Sequence, residues 1–295
     1  MNKKNIVIIG IGLIGGSLGL AIKDYFKEDV HIWGLDSHEE TLKKAAALGA
    51  IDSFTCEYGV AVKDADMVFL STPVLQIVPM IEMILPFLKA GTIITDTGST
   101  KRYIWDRIKN ILPNDIYYVA GHPMAGKEHS GIMAADKNLF RNKSYVIVQD
   151  TGAPNHAIEK VCEILKATKA NITTMDIAQH DRCASIISHV PHVVAAALVT
   201  LLNQSSSDIE ANLKLAGGGF KDTTRIASSN ADMWADICIS NAEPIMRNLQ
   251  ELKEILDVVI THIGETDRQG LYDYFSSAKQ RRDTILDKAN NLFEV

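Results

Sequence analysis

The sequence lacks the features of a nucleic-acid-binding protein or a disulfide-stapled one. Its net charge at pH 7 is -6 and it has no run of Lys or Arg, so we expect no nucleic-acid partner. The four cysteines are far apart and form no CxxC pair, which argues against a zinc site or a disulfide framework. This cysteine usage predicts a reducing, cytoplasmic location. An anionic ligand must then be held by individual Arg, Lys or His side chains.

Long hydrophobic runs are also missing. The longest apolar segment covers residues 190–202, is interrupted by His192, and falls short of the roughly 18 residues that a membrane-spanning helix needs. It therefore predicts a core helix and no membrane partner. The N-terminus leads directly into a strand-like segment, without the apolar region and cleavage site of a signal peptide, so we expect no secretion signal.

The chain is long enough, and apolar enough, for two folded domains. It has 295 residues, of which 46% are hydrophobic and 22% charged, and a domain holds about 150 residues. Short β-branched runs alternate with helical patterns up to residue 175, and the strand signal ends at Asp176. We predict an α/β domain over residues 1–175 and an all-α domain over residues 176–295.

The predicted strands are apolar on both faces, which favours a doubly wound parallel sheet covered by helices on each side. They are residues 5–10, 31–36, 66–72, 91–98, 116–121 and 144–150. After a first amphipathic helix that begins near Ile14, the predicted helices are 38–48, 74–89, 100–112 and 155–169, followed by 177–204, 207–216, 221–229, 231–264 with a break near Pro244, and 267–291.

The first strand ends in the sequence GIGLIGG, which places Gly10, Gly12 and Gly15 in GxGxxG spacing at a strand-to-helix turn. The first glycine permits a tight turn, the second lets backbone approach a pyrophosphate, and the third lets helix and strand pack closely. Leu13 and Ile14 open the helix, whose N-terminus would face the phosphates. The motif and its context predict a Rossmann-type cofactor site.

Asp36 closes the second strand, about 20 residues after the last glycine, where an acid binds the ribose 2′-hydroxyl. The residues that follow it, Ser-His-Glu-Glu, offer no Arg for a 2′-phosphate, so we expect NAD rather than NADP. Ser71, Thr72 and Pro73 end a later strand, on the edge of the sheet where ligands bind, and are further predicted cofactor contacts. A helix-capping role is the alternative, and for Thr72 both interpretations remain open.

Five motifs occur in order along the chain: GIGLIGGSLG, DTGSTK, GHPMAGKEHSG, SHVPH and GGGFKDTTRIASS. Together they resemble the prephenate dehydrogenase family, which includes the arogenate dehydrogenases of tyrosine biosynthesis. The resemblance implies a Rossmann domain followed by a helical domain that forms a homodimer. It also implies NAD-dependent oxidative decarboxylation of prephenate to 4-hydroxyphenylpyruvate. Many relatives carry an added regulatory domain, and we expect no tyrosine feedback through such a domain here.

His122, in GHPMAGKEHSG, is the predicted catalytic base. An imidazole with a pKa near 6.5 can accept a proton at neutral pH, and the resemblance places the family's polarising histidine here. Pro123 fixes its own φ and restricts the residue before it, so the His122 backbone should be extended. The resemblance makes Ser99 a helper that bonds the same substrate hydroxyl or orients the histidine.

Arg225 is the predicted cation for a substrate carboxylate, because a planar guanidinium can bind a carboxylate with two hydrogen bonds. His189 and His192 are three residues apart and so share a helix face, but the reaction needs no metal and we expect none. His189 is as well explained as a satisfied core histidine. By the resemblance, the further substrate-site residues are Ser188, His192, Glu128, Asp222 and Trp234.

Three other functions fit part of the pattern. Arogenate carries an amine where prephenate carries a keto group, and His192 at the side-chain contact favours the keto acid. A β-hydroxyacid dehydrogenase shares the architecture but relies on a lysine in the helical domain and lacks the GHPMAG segment. A module that binds NAD without turnover would not require His122, Ser99 and Arg225 together.

Overall fold

Strands and helices alternate through the first part of the chain, as predicted. The computed structural model describes residues 3–127, 129–205 and 209–291. The strands are β1 (Lys4–Ile9), β2 (Val30–Leu35), β3 (Ser53–Thr55), β4 (Met67–Leu70), β5 (Ile93–Asp96), β6 (Tyr117–Val119), β7 (Gly121–Pro123), β8 (Ser144–Val148) and β9 (Asn171–Met175). The helices among and just after them are α1 (Leu13–Phe26), α2 (Glu39–Ala47), α3 (Tyr58–Val62), α4 (Val74–Ile84), α5 (Arg102–Ile108), α6 (Asn155–Leu165) and α7 (Ile177–Ala184).

The remaining elements are helical. They are α8 (Val190–Ser205), α9 (Ile209–Leu215), α10 (Gly218–Thr224), α11 (Ala231–Ser240), α12 (Ala242–Gly264) and α13 (Arg268–Asn291). A π-helical turn covers Ser185–His189. The short 3₁₀ turns are Lys27–Asp29, Leu85–Phe87, Ile132–Ala134, Lys166–Thr168 and Arg225–Ser228.

Six parallel strands form the main sheet, in the order β3-β2-β1-β4-β5-β6. This is the doubly wound order, and the direction in which strands are added reverses between β1 and β4. Ligands of such sheets bind in the crevice outside the carboxyl ends of the strands at that reversal. The predicted Rossmann-type fold is confirmed.

Both faces of this sheet are buried. Ile6 and Ile8 belong to one hydrophobic cluster and Val7 and Ile9 to the other, each residue being at most 1% exposed. Successive strand residues point to opposite faces, so a run of four apolar residues fills both layers. Helices therefore cover each face, as the strand composition predicts.

A second sheet corrects the predicted placement of two strands. Segment 144–150 does not join the main sheet: β8 pairs antiparallel with β7 and parallel with β9. Segment 116–121, predicted as one strand, ends as β6 at Val119, and the chain enters the second sheet at Gly121. At Gly121 a Cβ would lie 2.9 Å from the backbone oxygen of Asp96, so this crossing requires glycine. The sequence analysis did not predict β9, whose NITTM sequence is largely exposed.

The strands end at Met175, and every described residue after it in a regular element is helical. By contacts the chain divides into two compact units, Met1–Ala242 and Glu243–Val295. The first unit therefore contains α7 to α11 as well as both sheets, and α11 packs against α4. The domain boundary between residues 175 and 176 stays a prediction.

Pro191 does not break the helix in which it lies. The chain is helical without interruption from Ile177 to Leu202, and the irregularity is the π turn Ser185–His189 just before the proline. Proline has no N–H to donate and its ring crowds the preceding turn of a helix. A locally widened turn accommodates both effects, and π turns of this kind are frequent at functional sites.

The prediction that segment 190–202 is a core helix is wrong. In the apolar window of the helix Ile177–Leu202, with mean hydropathy 1.8, only 17% of the residues are buried. Ile187 and Leu201 are more than half exposed. Length and composition would allow this helix to cross a membrane, but a single such helix is weak evidence for that. A large exposed apolar face also marks a surface that another protein covers.

The second unit consists of α12 and α13. The predicted break near Pro244 lies just before it, at Asn241, and Pro244 sits in the first turn of α12, where its missing N–H removes no helical bond. Asp267 joins the two helices, since its carboxylate accepts from Gly270 N at 2.9 Å and contacts His262 Nδ1 at 2.8 Å. Much of the apolar surface of α12 is exposed, including Ile263 at 61%.

Candidate active site

The glycine turn between β1 and α1 leaves room for a ligand at one position and none at the others. Gly10 has φ +88°, and a Cβ there would lie 2.7 Å from the backbone oxygen of Ser71. At Gly15 a Cβ would lie 2.1 Å from the Gly10 oxygen, so helix and strand touch. At Gly12, by contrast, a Cβ would have no described atom within 4 Å. Backbone is thus exposed where a pyrophosphate must approach.

The N-terminus of α1 is suited to bind an anion. Gly12 is its N-cap, and no described side chain caps the helix or places an acid in its first turn. The first N–H groups of a helix, here beginning with Leu13 and Ile14, have no partner within the helix and favour negative charge. Asp36 supports the turn from β2: its Oδ2 accepts from Ile11 N at 3.0 Å, and its Oδ1 accepts from His38 N at 3.0 Å.

Buried hydroxyl groups line the carboxyl ends of the neighbouring strands. Ser71 Oγ, Thr72 Oγ1 and Thr100 Oγ1 are buried without a hydrogen-bond partner in the described part of the chain. These hydroxyl groups do not cap the helices that follow them. Helix α4 begins after Pro73 and α5 after Lys101, and neither has a side-chain cap among the described residues. A buried hydroxyl without a partner is costly, so these groups fit a site that a bound molecule completes. The residues present therefore suit a dinucleotide.

His122 lies in β7, extended as predicted from Pro123, and pairs with Val146 of β8. Its side chain is buried, with 9% of the residue exposed. His122 Nδ1 lies 2.8 Å from His180 Nε2. His180 Nδ1 in turn lies 2.7 Å from Asp181 Oδ1. The sequence analysis missed His180 and Asp181.

The chain of hydrogen bonds that begins at His122 ends at the N-terminus of α5. Asp181 accepts from Lys101 N and Arg102 N, each at 2.9 Å. Burial raises the pKa of Asp181, but the hydrogen bonds from His180 and from these two backbone groups outweigh it and keep the pKa below its usual value. Asp181 is therefore an anion at neutral pH.

The electrostatic surroundings keep His122 neutral. Burial lowers its pKa well below the usual 6.5, and the nearby His180, Lys101 and His189 lower it further. A neutral imidazole has one ring nitrogen that can accept a proton. His122 can therefore act as a base at neutral pH and, because its pKa is lowered, at somewhat acidic pH as well.

A buried ion pair positions the strand that carries His122. Lys101 Nζ bonds to Asp96 Oδ2 and donates to Gly121 O at 2.6 Å, and both charged side chains are 0% exposed. Asp96 Oδ1 also accepts from Tyr118 OH at 2.8 Å and from Gly121 N at 3.2 Å. Burial lowers the pKa of Lys101, and burial with the charge of Asp96 raises that of Tyr118. The sequence motifs did not predict this cluster; its only local signal is the two charged residues, Asp96 and Lys101, of the DTGSTK motif.

Ser99 lies between Asp96 and Lys101, half-buried at the carboxyl end of β5. The same turn provides the backbone N–H groups that hold Asp181. Ser99 is thus two residues before Lys101, whose side chain donates to Gly121 O. Gly121 directly precedes His122. Its helper role stays a prediction.

His192 and Trp234 form an aromatic pair in the helical part of this unit. Their rings stack at a centroid distance of 3.7 Å, and the His189 ring meets the same indole edge-on at 6.1 Å. His192 Nδ1 donates to Ser188 O at 2.9 Å, which leaves Nε2 as an acceptor in the neutral ring. Trp234 Nε1 is buried without a partner in the described part of the chain, so it can donate to a ligand.

His189 is a buried structural neighbour of this pair. Burial lowers its pKa to about 4, and its Nδ1 lies 3.0 Å from Asn241 Nδ2. The same Asn241 nitrogen donates to Asp181 O at 2.9 Å. His189 is thereby connected to the backbone of the His122–His180–Asp181 chain. Among the described residues, no group of three or more His, Cys, Asp or Glu side chains could hold a metal ion.

Arg225 is close enough to His192 to influence it. Burial lowers the pKa of His192, and the charge of Arg225 lowers it further. Arg225 itself is exposed, as is Asp222 one turn earlier in α10. Glu128, the other predicted acid, lies outside the described residues.

The fold and the site together define a Rossmann-class dinucleotide-binding protein with a buried, neutral histidine and a helical part that follows. A family model described as "Prephenate dehydrogenase, nucleotide-binding domain" matches residues 18–174, and one described as "Prephenate dehydrogenase, dimerization domain" matches residues 176–277. These two matches cover most of the chain. The chain belongs to the prephenate dehydrogenase family.

Individual relatives agree with this assignment. The prephenate dehydrogenase of Bacillus subtilis is 38% identical, with 96% of this chain and 76% of that protein covered. That of Lactococcus lactis subsp. cremoris is 34% identical, with coverages of 96% and 77%. A crystal structure of prephenate dehydrogenase from A. aeolicus, in complex with hydroxyphenyl propionate and NAD+, has a TM-score of 0.88 and 30% identity, covering 97% of this chain and 99% of that one.

Proposed function

We propose that this protein is an NAD-dependent enzyme that converts prephenate to 4-hydroxyphenylpyruvate and carbon dioxide, a step of tyrosine biosynthesis. The observation that carries the proposal is His122, a buried, neutral histidine beside a dinucleotide-binding fold. The names of the relatives and the NAD+ bound to the A. aeolicus protein support the same reaction. Production of NADH and 4-hydroxyphenylpyruvate from prephenate by the purified protein tests it.

The chemistry needs a proton acceptor, a hydride acceptor and cations. Prephenate gives its hydroxyl proton to a base and its C4 hydride to the cofactor, its C1 carboxylate leaves as carbon dioxide, and the phenolate oxygen of the aromatic ring takes the proton back. His122 would accept the hydroxyl proton on a ring nitrogen, and Ser99 would bond the same hydroxyl. NAD supplies the hydride acceptor when bound. Because aromatisation drives the reaction, the protein has mainly to position these groups.

The predicted cofactor contacts would hold NAD as follows. The backbone of Gly12 and the N-terminus of α1 would meet the pyrophosphate, and Asp36 would bond the ribose hydroxyls. The orphan hydroxyl groups of Ser71 and Thr72 would gain partners. An acid at the position of Asp36 repels a 2′-phosphate, which favours NAD over NADP.

The substrate side chain would be bound by the helical part of the first unit. His192 and Trp234 offer an acceptor and a donor on one stacked pair, and Ser188 is held next to them by its backbone. Arg225 would bind a carboxylate of prephenate, and Asp222 would lie at the mouth of the pocket. The Trp234 Nε1–H can donate to the keto oxygen of prephenate, whereas the ammonium group of arogenate has no lone pair to accept it.

Replacing Arg225 with alanine should raise KM for prephenate by about tenfold or more, because a charge-assisted hydrogen bond contributes roughly 1.5–3 kcal/mol. KM for NAD should change by less than about threefold. Steady-state kinetics with each substrate varied in turn measures both values. Lys221→Ala, which removes an exposed cation from α10, the helix that ends just before Arg225, is the matched control. A larger effect on NAD than on prephenate would remove Arg225 from the substrate site.

The exposed apolar surface supports a homodimer. The chain matches a family dimerization domain. Ile186, Ile187 and Leu201 are each more than half exposed on the long helix of the first unit, and so are Ile260 and Phe275 in the second unit. A second copy of the chain would remove this surface from water at about 25 cal/mol per Å². The cytoplasmic location predicted from the cysteines stays a prediction; all four are free thiols.

A further inference from the structure

Behind His122 lies a pair of residues that the proposed chemistry has not yet used. His180 and Asp181 are 2% and 3% exposed, and they come from the first helix after the second sheet. His122 Nδ1 contacts His180 Nε2 at 2.8 Å, and His180 Nδ1 contacts Asp181 Oδ1 at 2.7 Å. The three side chains form one line of hydrogen bonds that ends on the N-terminal backbone of α5.

The ring hydrogens of His180 and His122 can be assigned by starting from the Asp181 carboxylate. The Asp181 carboxylate can only accept, so His180 Nδ1 carries a hydrogen and donates it. In a neutral His180 the other nitrogen, Nε2, has a lone pair and accepts from His122 Nδ1–H. His122 Nε2 is then the nitrogen without a hydrogen. The line therefore selects the tautomer of His122 in which Nε2 is free to accept a proton.

We infer that His180 and Asp181 are positioning residues that fix the reactive tautomer of His122 and share the proton it takes up. The inference rests on the proposed function. When His122 Nε2 accepts the substrate hydroxyl proton, the Nδ1 proton of His122 moves to His180 Nε2. His122 is then neutral with its hydrogen on Nε2, and the positive charge lies on His180 next to the Asp181 carboxylate. When the carboxylate leaves, the ring oxygen becomes a phenolate that takes back the Nε2 proton of His122, and the Nδ1 proton returns from His180, so the product leaves as 4-hydroxyphenylpyruvate and His122 is restored.

Other charged and titratable groups face this line from each neighbouring element. Lys101, at the start of α5, influences His122 electrostatically, but its ammonium group is engaged by Asp96 and Gly121 O. His189 approaches from the π turn and is bonded to Asn241. Tyr118 of β6 is bonded to Asp96. Asp181 is thus the anion that hydrogen-bonds directly to the histidine pair.

The Asp181→Asn variant tests the inference, because it keeps the shape of the side chain and removes its charge. We expect kcat for prephenate to fall by about 10²- to 10⁴-fold with little change in KM. We also expect the acidic limb of the pH profile of kcat to move to lower pH, because the histidine pair loses the anion that favours its protonated form. A merely structural role would lower kcat without moving that limb. Asp181→Glu, which restores the carboxylate, should recover activity relative to Asp181→Asn.

Asp176→Asn is the matched control, since Asp176 caps the same helix by accepting from Gln179 N at 2.6 Å. It should leave the pH limb where it is in the unaltered enzyme. An Asp181→Asn enzyme with an unmoved limb, or with kcat within threefold of normal, would overturn the inference.

The ¹⁵N NMR signals of the histidine rings give a second readout that does not require turnover. With His122 assigned by comparison with a His122→Asn sample, we expect a hydrogen on Nδ1 and none on Nε2 at neutral pH. A hydrogen on Nε2 instead would contradict the inference even if the protein oxidises prephenate. If the tautomer is as expected but prephenate is not oxidised, the proposed function fails and the positioning of His122 stands.

Discussion

Replacing His122 with asparagine is expected to lower kcat for prephenate by about 10²- to 10⁴-fold while NAD binding stays nearly intact. His122 is the proposed base and is buried and neutral, whereas the predicted cofactor contacts Gly12 and Asp36 lie on the glycine turn and just after β2. Asparagine can still form hydrogen bonds but cannot take up a proton at neutral pH. Stopped-flow single-turnover rates and NAD titration by fluorescence separate the two effects.

The pH dependence of activity is a further part of the prediction for His122. Because burial lowers the pKa of His122 below 6.5, its accepting form persists below that pH, and activity is lost as pH falls through the lowered pKa. The unaltered enzyme should therefore retain activity into the mildly acidic range, and the residual activity of His122→Asn should lack that limb. The matched control is His31→Asn, which changes a half-buried histidine bonded to Ser53 at the far side of the sheet. Turnover of His122→Asn within a few-fold of normal would remove the assignment.

Replacing Lys101 with methionine is expected to destabilise the protein by about 3–5 kcal/mol, the usual cost of leaving a buried charge without its partner. Lys101 and Asp96 are both fully buried, and the ammonium group also holds Gly121 O. The variant would leave the Asp96 carboxylate inside the protein with only neutral donors. The free energy of unfolding from urea titration measures the loss.

Two variants make the Lys101 prediction specific. In the double variant Asp96→Asn/Lys101→Met neither position of the pair carries a charge, so no carboxylate is left without its ammonium partner and the variant should be more stable than Lys101→Met alone. Lys109→Met removes an exposed partner of Asp106, about 40% exposed on each side, and should cost no more than about 1 kcal/mol. A Lys101→Met protein as stable as Lys109→Met would contradict the role given to the buried pair.

The cofactor half of the site was predictable because its signals are local. Gly10, Gly12 and Gly15 are fixed by the geometry of a single turn, and Asp36 follows at a set distance on the next strand. The extended backbone at His122 is likewise dictated by its neighbour Pro123. Such features depend on residues close in sequence, so a motif in the right context is sufficient to find them.

The support behind His122 was not predictable in the same way. His180 reaches His122 across 58 residues, and Asp181 reaches Lys101 across 80. No periodicity links such positions, since contacts of this kind exist only once α7 has packed against β8 and α5. The adjacent pair His180–Asp181 in the middle of α7 was the only local signal. The second sheet itself was missed because β7 is three residues long and β9 is largely exposed.

The wrong prediction for segment 190–202 has a different origin. Apolar composition indicates that a helix face will be covered, but it does not say whether the same chain or another copy covers it. In this chain the helix Ile177–Leu202 is mostly uncovered. The match to a dimerization domain explains why an apolar helix can remain so exposed in a single chain.

The most direct measurement of the central claim is steady-state kinetics of the purified protein with prephenate and NAD, following NADH by its ultraviolet absorbance and the organic product by chromatography. The expected result is one 4-hydroxyphenylpyruvate formed for each NADH. The value of kcat/KM should be higher for prephenate than for arogenate, and higher with NAD than with NADP. Binding of NAD without any NADH from prephenate, or a much higher kcat/KM for arogenate, would contradict the account.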